Sequence, residues 1–326
     1  MPEKSREFAI IERFFAGLIT TTSPEILLGP GDDCGIFAVP AGHEVCISTD
    51  TLTAGVHFPE GAPAAVIAQR ALVANLSDLA AMGAQPLTCT LALTLDEQAA
   101  TDAWLAPFAE RLRQLVAEFA IPLIGGNLSR GPLSLTFTVL GTVPVGTALR
   151  RDGARVGDDV YVTGNVGDAA AGLRQLQQGV AADPALLARY QSPIPRLATA
   201  MALRGIASSA IDISDGLLAD LDHISERSGL GMDIQLQRLP LSPALLANFN
   251  LAQARQLALA GGDDYEVCFT AAIAQRQAIM HIATITGVPI SLIGEVTDGR
   301  QVQVLDADGR VMPVTHRGYG HFGGGA

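Results

Sequence analysis

The chain has 326 residues, of which 48% are apolar, and this is enough for two domains with sizeable cores. Its net charge of −12 argues against nucleic acid or an anionic membrane surface as a partner. No apolar run reaches the roughly 18 residues of a membrane span, and the N-terminal segment lacks the apolar core of a secretion signal. The four cysteines form no Cys-x-x-Cys pair, which predicts a reducing, cytoplasmic location and excludes an obvious zinc site.

The first half of the chain alternates predicted helices and strands, according to the spacing of its apolar residues. Helices are expected over residues 8–18, 64–82 and 101–119, and strands are expected to end at Asp50 and to span 87–95, 122–124 and 133–143. Asn75 and Asp78 share one face of the second helix, because side chains three positions apart are neighbours. The Gly-Gly-Asn sequence at 125–127 follows a buried strand, so we expect a turn that can cradle a phosphate.

The second half begins after a segment rich in Gly and Arg at 144–157, which predicts domains over residues 1–147 and 148–326. Strands are expected at 159–163, 210–213, 267–270, 291–294, 302–305 and 310–314. One helix is expected to begin near Asp168, two to span 185–204 and 271–286, and another to end at residue 228. Strands that alternate with helices in both halves favour α/β or α+β layers.

Acidic residues recur where predicted strands or helices meet Gly-containing turns. They are Asp32, Asp33, Asp50, Asp78, Asp212, Asp215, Asp263 and Asp264. Each alone is typical of a turn or a helix cap. Together they would repel one another unless cations were bound. Several Mg²⁺ ions with a polyphosphate would explain them, and so would calcium storage, although no loop has the spacing of an EF-hand.

Lysine is almost absent, since Lys4 is the single lysine and every other basic residue is arginine. The chain therefore has no lysine of the kind that binds phosphates in P-loop enzymes and protein kinases, or that forms a Schiff base. If this protein binds phosphates, Arg side chains, backbone amides and metal ions must balance their charge.

Five motifs together carry a resemblance to a known family. They are Gly-Pro-Gly-Asp-Asp-Cys at 29–34, Ile-Ser-Thr-Asp-Thr-Leu at 47–52, Asn-Leu-Ser-Asp-Leu-Ala-Ala-Met-Gly-Ala at 75–84, Ile-Asp-Ile-Ser-Asp-Gly-Leu at 211–217 and Gly-Gly-Asp-Asp-Tyr-Glu at 261–266. With the C-terminal Gly-Tyr-x-His-Phe, the chain resembles the thiamine-monophosphate kinases over nearly its whole length. This family belongs to the superfamily of aminoimidazole ribonucleotide synthetase and selenophosphate synthetase.

The resemblance implies a homodimer with ATP in a cleft. The N-terminal α/β domain would bind ATP and metal and dimerise, its strands joining those of the partner in a barrel. The C-terminal domain would be α+β. Magnesium-assisted, in-line transfer of the γ-phosphoryl group of ATP to thiamine monophosphate would give thiamine diphosphate. The acceptor phosphate has a second pKa of about 6, so no strong general base is needed.

The resemblance also assigns roles to individual residues. The implied metal ligands are Asp33, Ser48, Thr49, Asp50, Asp78, Asn127, Asp212 and Asp215. The implied nucleotide contacts are Gly126, Asn127, Arg151 and Ser214, and the implied thiamine-phosphate contacts are His57, Asp263 and Tyr319. Catalysis would depend chiefly on Asp78, Arg151 and Asp215.

Two residues depart from the family pattern, and two alternative functions stay open. Asn127 stands where Asp is usual, which weakens one metal site, and Asp263 stands where Glu is usual. The chain could be a different ATP-dependent enzyme of the superfamily. It could also be a non-catalytic protein that binds thiamine phosphate or a nucleotide.

Overall fold

A computed structural model describes residues 6–15, residue 18 and residues 23–320. Part of the helix predicted over 8–18, and His321 and Phe322 of the C-terminal motif, lie outside these residues. No helix in the described ranges has the length and apolar character required to cross a bilayer. The chain forms two compact units, one from residues up to 79 with 84–146, the other from 80–83 with residues from 147 onwards.

The first unit contains a four-stranded sheet and a separate two-stranded one. Its elements are α1 (Arg6–Ile10) with a π-helical continuation (Ile11–Phe15), β1 (Ile26–Leu28), β2 (Ile36–Phe37), β3 (His43–Thr53), α2 (Ala64–Ala81), β4 (Gln85–Leu95), α3 (Asp102–Glu118), β5 (Leu123–Arg130) and β6 (Ser134–Pro144). The order in the larger sheet is β3-β6-β4-β5, so β3 and β5 are its two edge strands. The pairs β3–β6 and β4–β6 are antiparallel, and β4–β5 is parallel.

The helix α2 is buried on almost every side, as expected for a helix that is apolar nearly all round. Even its Gln69 and Arg70 are buried. Gln69 accepts hydrogen bonds from the Arg111 guanidinium, which ties α3 to α2. The prediction of a helix over 64–82 is confirmed.

The sequence prediction was wrong about Gly125 and Gly126, because β5 continues through both as an extended strand to Arg130. Its backbone is paired with β4, where Gly126 lies opposite Leu91. A Cβ atom on Gly126 would lie 2.1 Å from the Leu91 carbonyl oxygen. Glycine is therefore required here by close strand packing, and a phosphate-cradling turn does not form.

The second unit contains one six-stranded mixed sheet of order β12-β9-β11-β7-β10-β8. Its elements are β7 (Asp159–Thr163), α4 (Asp168–Gln177), α5 (Pro184–Gln191), α6 (Leu197–Ala202), β8 (Ser209–Asp212), α7 (Leu217–Ser228), β9 (Gly231–Gln235), α8 (Pro243–Asn248), α9 (Leu251–Ala260), β10 (Val267–Ala271), α10 (Arg276–Thr286), β11 (Ile290–Thr297) and β12 (Val302–Leu305). Together, the two units give a two-domain α/β fold with mixed sheets.

Three parts of the second unit differ from the sequence prediction. The expected helix over 185–204 is divided into α5 and α6 by the segment that contains Pro193 and Pro195. The expected strand over 310–314 is reduced to a single bridge between Leu305 and Val311. The elements β9, α8 and α9 were not predicted, although Met232 and Ile234 of β9 contribute to an apolar core of this unit.

Candidate functional site

Three of the implied metal ligands of the first unit, Ser48, Asp50 and Asp78, lie where β3 faces α2. Ser48 and Asp50 lie on the same side of β3, because side chains alternate along a strand. The Ser48 hydroxyl donates to Oδ2 of Asp78 at 2.5 Å, and the Asp50 backbone N–H donates to Oδ1 of Asn75 at 3.0 Å. Asn75 also donates to the Ala71 carbonyl at 2.9 Å. The buried Asn75 thus fixes α2 against β3, while Asp78 stays partly exposed.

These residues supply hard oxygen donors without forming a complete metal cage. Among the residues that the structure describes, no three His, Cys, Asp or Glu side chains converge on one point. Mg²⁺ commonly takes one or two protein carboxylates and completes its coordination with substrate phosphates and water. The donor set of Ser48, Asp50 and Asp78 therefore fits a magnesium ion that binds together with a polyphosphate.

Thr49 lies on the opposite side of β3 from Ser48 and Asp50. Its hydroxyl is hydrogen-bonded to the hydroxyl of Thr138 at 2.9 Å, and Thr51 is paired in the same way with Thr136 at 2.8 Å. The Thr49 hydroxyl therefore does not join Ser48 and Asp50.

The loop that carries Asp32 and Asp33 is exposed and lies next to β5. Oδ1 of Asp32 accepts the Asp33 backbone N–H at 3.0 Å. A Cβ atom on Gly35 would lie 2.9 Å from the Ile124 carbonyl oxygen, so the end of this loop presses against the start of β5. Asp33 is thereby placed near the strand that carries Gly126 and Asn127.

Asn127 is separated from Asp50 within one chain. The register of the sheet aligns Asp50 with Phe137, Leu91 and Gly126 across four strands. Three strand spacings amount to about 14 Å. Asn127 is the next residue on β5 and is aligned with Ala92 and Thr136, so it lies on the face that carries the threonine hydroxyls. One copy of the sheet thus places Asn127 and Asp50 at opposite edges and on opposite faces.

His57 is held in the loop after β3. Its ring Nδ1 accepts the backbone N–H of Thr53 at 3.1 Å, and its carbonyl accepts a bond from the buried Arg70 at 3.2 Å. A ring nitrogen that accepts an N–H carries no proton, so the neutral ring is protonated on Nε2. Nε2 can therefore donate to an anionic oxygen.

In the second unit, the loop between β8 and α7 is shaped by Asp220, which the sequence analysis missed. Oδ2 of Asp220 accepts the backbone N–H groups of Ser214, Asp215 and Gly216 at 3.1, 3.2 and 3.1 Å. Burial, followed by the charges of Asp212 and Asp215, raises the pKa of Asp220 to about 8. An acid in the first turn of a helix after a Ser-Asp-Gly turn is a recognisable N-terminal signal.

The segment around Asp263 lies directly against this loop. The Asp263 and Tyr265 backbone N–H groups each donate at 2.8 Å, to the carbonyls of Ser214 and Ile213 respectively. Both residues are in the left-handed region, with φ of 69° and 51°. Such backbone strain persists only where the surrounding structure fixes it, and it concentrates at functional sites. A Cβ atom on Gly262 would lie 2.4 Å from the Ser214 carbonyl oxygen, which explains the glycine.

Tyr319 joins the same group, because its backbone N–H donates to the Asp215 carbonyl at 2.9 Å while 53% of the residue is exposed. The second unit therefore brings together Asp212, Ser214, Asp215, Asp263 and Tyr319.

Arg151 is not brought to this group within the second unit. Its carbonyl accepts a bond from the hydroxyl of Ser228 at 2.9 Å, at the C-terminal end of α7. Asp215 precedes the N-terminal end of α7. A helix of 12 residues is about 18 Å long, which exceeds the reach of an arginine side chain.

Asp264 has a structural role, although it neighbours Asp263. Its carboxylate accepts the backbone N–H groups of Gly167 at 2.7 Å and Ala169 at 3.4 Å, and so caps α4. Asp264 is completely buried, and burial raises its pKa to about 8. Of the two interpretations of the recurring acids, the helix cap is the one that holds for Asp264.

This raised pKa predicts a loss of stability with rising pH. An unfolded Asp has a pKa of about 3.9. The folded chain therefore keeps a proton that the unfolded chain loses, so the contribution of Asp264 to the free energy of unfolding is greatest in acid. It falls as the pH rises from about 4 and levels off above about 8. The Asn side chain of Asp264→Asn cannot titrate. As the pH is raised from about 5 to about 8, the Tm of Asp264→Asn should therefore increase relative to the wild-type Tm.

Calorimetric Tm values of both proteins across that range would test the prediction. Asp308→Asn serves as the control, because Asp308 has 67% side-chain exposure on a surface turn. A Tm difference between wild type and Asp264→Asn that is the same at every pH would contradict the prediction.

Comparison with known proteins places both units in one family. The family model for the AIR synthase related protein N-terminal domain matches residues 31–143, and the model for the C-terminal domain of the same proteins matches residues 155–307. The chain is 43% identical to a thiamine-monophosphate kinase of Escherichia coli K12, over 97% of this chain and 98% of that protein.

Solved structures agree with the sequence comparison. A thiamine-monophosphate kinase from Stenotrophomonas maltophilia is 44% identical with a TM-score of 0.86, covering 94% of this chain and 98% of that one. A protein described as AaThiL, complexed with AMPPCP and TMP, is 28% identical with a TM-score of 0.77, covering 87% and 89%. Sequence identity of 43% and 44% over nearly the whole chain shows that this protein is an enzyme of the thiamine-monophosphate kinase family.

Proposed function

We propose that this chain transfers the γ-phosphoryl group of ATP to thiamine monophosphate in a Mg²⁺-dependent reaction that yields thiamine diphosphate and ADP. The observation that carries the proposal is the 43% identity over 97% of the chain to a thiamine-monophosphate kinase. The relative that is complexed with AMPPCP and TMP supports the choice of substrates. We also propose that the enzyme is located in the cytoplasm, which fits a role in coenzyme biosynthesis.

The proposed reaction is a direct in-line transfer. An oxygen of the acceptor phosphate bonds to the γ-phosphorus of ATP while the bond from that phosphorus to the bridging oxygen breaks. The acceptor oxygen is already ionised near neutral pH. The protein therefore contributes positioning and neutralisation of charge more than proton transfer.

In the first unit, we assign the metal-binding role to Asp33, Ser48, Thr49, Asp50, Asp78 and Asn127. Mg²⁺ would supply the positive charge that lets two phosphates approach each other. Gly126 and Asn127 would contact the nucleotide. We assign His57 to the thiamine phosphate, because its Nε2–H suits a phosphate oxygen.

In the second unit, Asp212 and Asp215 would bind metal, Ser214 and Arg151 the nucleotide, and Asp263 and Tyr319 the thiamine phosphate. The shared loop structure around Ser214 and Asp215 supports all of these assignments except that of Arg151, which rests on the family resemblance. Asp78, Arg151 and Asp215 remain the residues on which we expect turnover to depend most. We keep the domains as 1–147, for ATP, metal and dimerisation, and 148–326.

A homodimer would bring together the two edges of the sheet that carry Asn127 and Asp50. Among the described residues, no second strand is added beyond β3 or β5 at the edges of this sheet, and Ile47 on β3 is 66% exposed. Long exposed edge strands with apolar side chains are expected to be covered by another chain. If β3 of one copy paired with β5 of a second copy in a barrel, Asn127 of one copy would lie on the strand next to Thr49 and Asp50 of the other.

This arrangement predicts complementation between two inactive variants. Asp78→Asn and Asn127→Arg should each be inactive as homodimers, the second because a bulky cation replaces the proposed ligand. A heterodimer purified with two affinity tags would have one site with both substitutions and one with neither, so about half of the wild-type activity should return. If each site used one chain alone, both sites would carry one substitution and the heterodimer would be inactive.

The decisive test of the function is ADP release with and without thiamine monophosphate at several Mg²⁺ concentrations. We expect that ADP release requires thiamine monophosphate, saturates as its concentration rises, and disappears when Mg²⁺ is chelated. Binding of thiamine monophosphate or nucleotide without ADP release would identify a non-catalytic binding protein instead.

A further inference from the structure

The segment Arg317–Tyr319 is attached to the start of α7 by two backbone hydrogen bonds. The Arg317 carbonyl accepts the Ala219 N–H at 3.0 Å, and the Tyr319 N–H donates to the Asp215 carbonyl at 2.9 Å. Gly318 lies between these bonds, where a Cβ atom would be 2.5 Å from the Ala219 Cβ and 2.7 Å from the Asp215 oxygen. The segment thus follows the helix end so closely that only glycine fits between the two bonds.

The side chain of Arg317 adds a second attachment to α7. Its Nε and one terminal nitrogen donate to the two carboxylate oxygens of Asp222, both at 2.6 Å. The same terminal nitrogen donates to the Val302 carbonyl at 3.2 Å. This paired geometry requires the planar guanidinium fork, which lysine does not have. With side-chain exposures of 38% and 41%, the pair is only partly screened by water.

We propose that Arg317 is a positioning residue, and that its ion pair with Asp222 holds the C-terminal segment in the register that sets Tyr319 beside Asp215. In this role Arg317 would act through Tyr319 and would not contact a substrate itself. Residues 313–320 contain no helix or strand, so no regular secondary structure fixes Tyr319, and hydrogen bonds and ion pairs such as these hold it in place. The inference rests on the proposed function, in which Tyr319 contacts the thiamine group. The cationic thiamine ring would be attracted to the aromatic face of the tyrosine.

The proposal predicts a selective change in substrate affinity. Arg317→Ala and Asp222→Ala should each raise the KM for thiamine monophosphate by roughly fivefold to tenfold, since a partly exposed bidentate pair is of moderate strength. The KM for ATP should change by less than about twofold, because the loop of Ser214 keeps its bonds to Asp220. Arg317→Lys keeps the charge but loses the fork, so its KM should lie between those of wild type and Arg317→Ala.

The swapped pair, Arg317→Asp with Asp222→Arg, tests the pairing itself and should recover much of the affinity lost in Arg317→Ala. Arg310→Ala is the matched control, since Arg310 forms a 2.7 Å pair with Asp308 in which both side chains are well exposed, at 75% and 67%. It should leave both KM values unchanged. Equal increases in both KM values, or a swapped pair as impaired as the single variants, would overturn the proposal.

Hydrogen exchange provides a readout that does not depend on activity. The amides of Ala219 and Tyr319 should exchange faster in Arg317→Ala than in wild type. In Arg310→Ala their exchange rates should equal those of wild type. Unchanged exchange in Arg317→Ala, or faster exchange with an unchanged KM for thiamine monophosphate, would overturn the positioning role. Failure of the proposed function has a different signature, because the wild-type enzyme would then release no ADP with thiamine monophosphate.

Discussion

Asp78→Asn is expected to reduce kcat by about a hundredfold to a thousandfold while the fold stays intact. The side chain of Asn has almost the same shape as that of Asp, and its oxygen can still accept the Ser48 hydroxyl that now bonds to Oδ2 at 2.5 Å. The helix α2 and its buried contacts are therefore preserved. What disappears is the negative charge that we propose binds Mg²⁺.

The matched control is Asp102→Asn, the same substitution in the same unit. Asp102 pairs with Arg13 on the surface at 2.6 Å, and both side chains are 64% exposed. Its kcat should equal that of wild type. The measurement is kcat at saturating ATP and thiamine monophosphate, together with Tm to verify folding. A folded Asp78→Asn enzyme with near-normal kcat would exclude Asp78 as a metal ligand.

Glu266→Gln should produce the largest loss of stability. Glu266 is fully buried and accepts hydrogen bonds from Arg189 at 2.7 Å, from Arg196 at 2.6 and 2.5 Å, and from Thr163 at 2.6 Å. Removing its charge leaves two guanidinium groups, with only 20% and 14% side-chain exposure, without their carboxylate. Breaking a buried ion pair in this way costs roughly 3 to 5 kcal/mol.

The measurement is the urea concentration at the midpoint of unfolding. Unfolding is monitored with a probe in the second unit, because two units need not unfold together. Glu295→Gln is the control, since Glu295 is exposed on β11 in the same unit. Its midpoint should stay within error of the wild type. A Glu266→Gln midpoint as high as that of the control would show that the two arginines are satisfied by other groups.

Local signals in the sequence determined much of the fold. The apolar character of residues 64–82 and the stop at Gly83 predict α2, and the strand at Asp159–Thr163 was predicted with its observed bounds. The family membership also follows from sequence motifs alone, because the acids and glycines of the loops stand at characteristic spacings. All of these features depend on residues close together in the chain.

The tertiary structure decided what neighbouring residues of similar chemistry do. Asp263 and Asp264 are adjacent acids in one motif, yet one lies in a strained loop against Ser214 and the other caps α4. Likewise, the Gly-Gly pair near Asn127 resembles a turn, but pairing with β4 keeps it extended. The sequence also could not show that Asp50 and Asn127 occupy opposite edges of one sheet. Strand order and helix capping depend on partners far away in the chain, and local propensity carries no information about them.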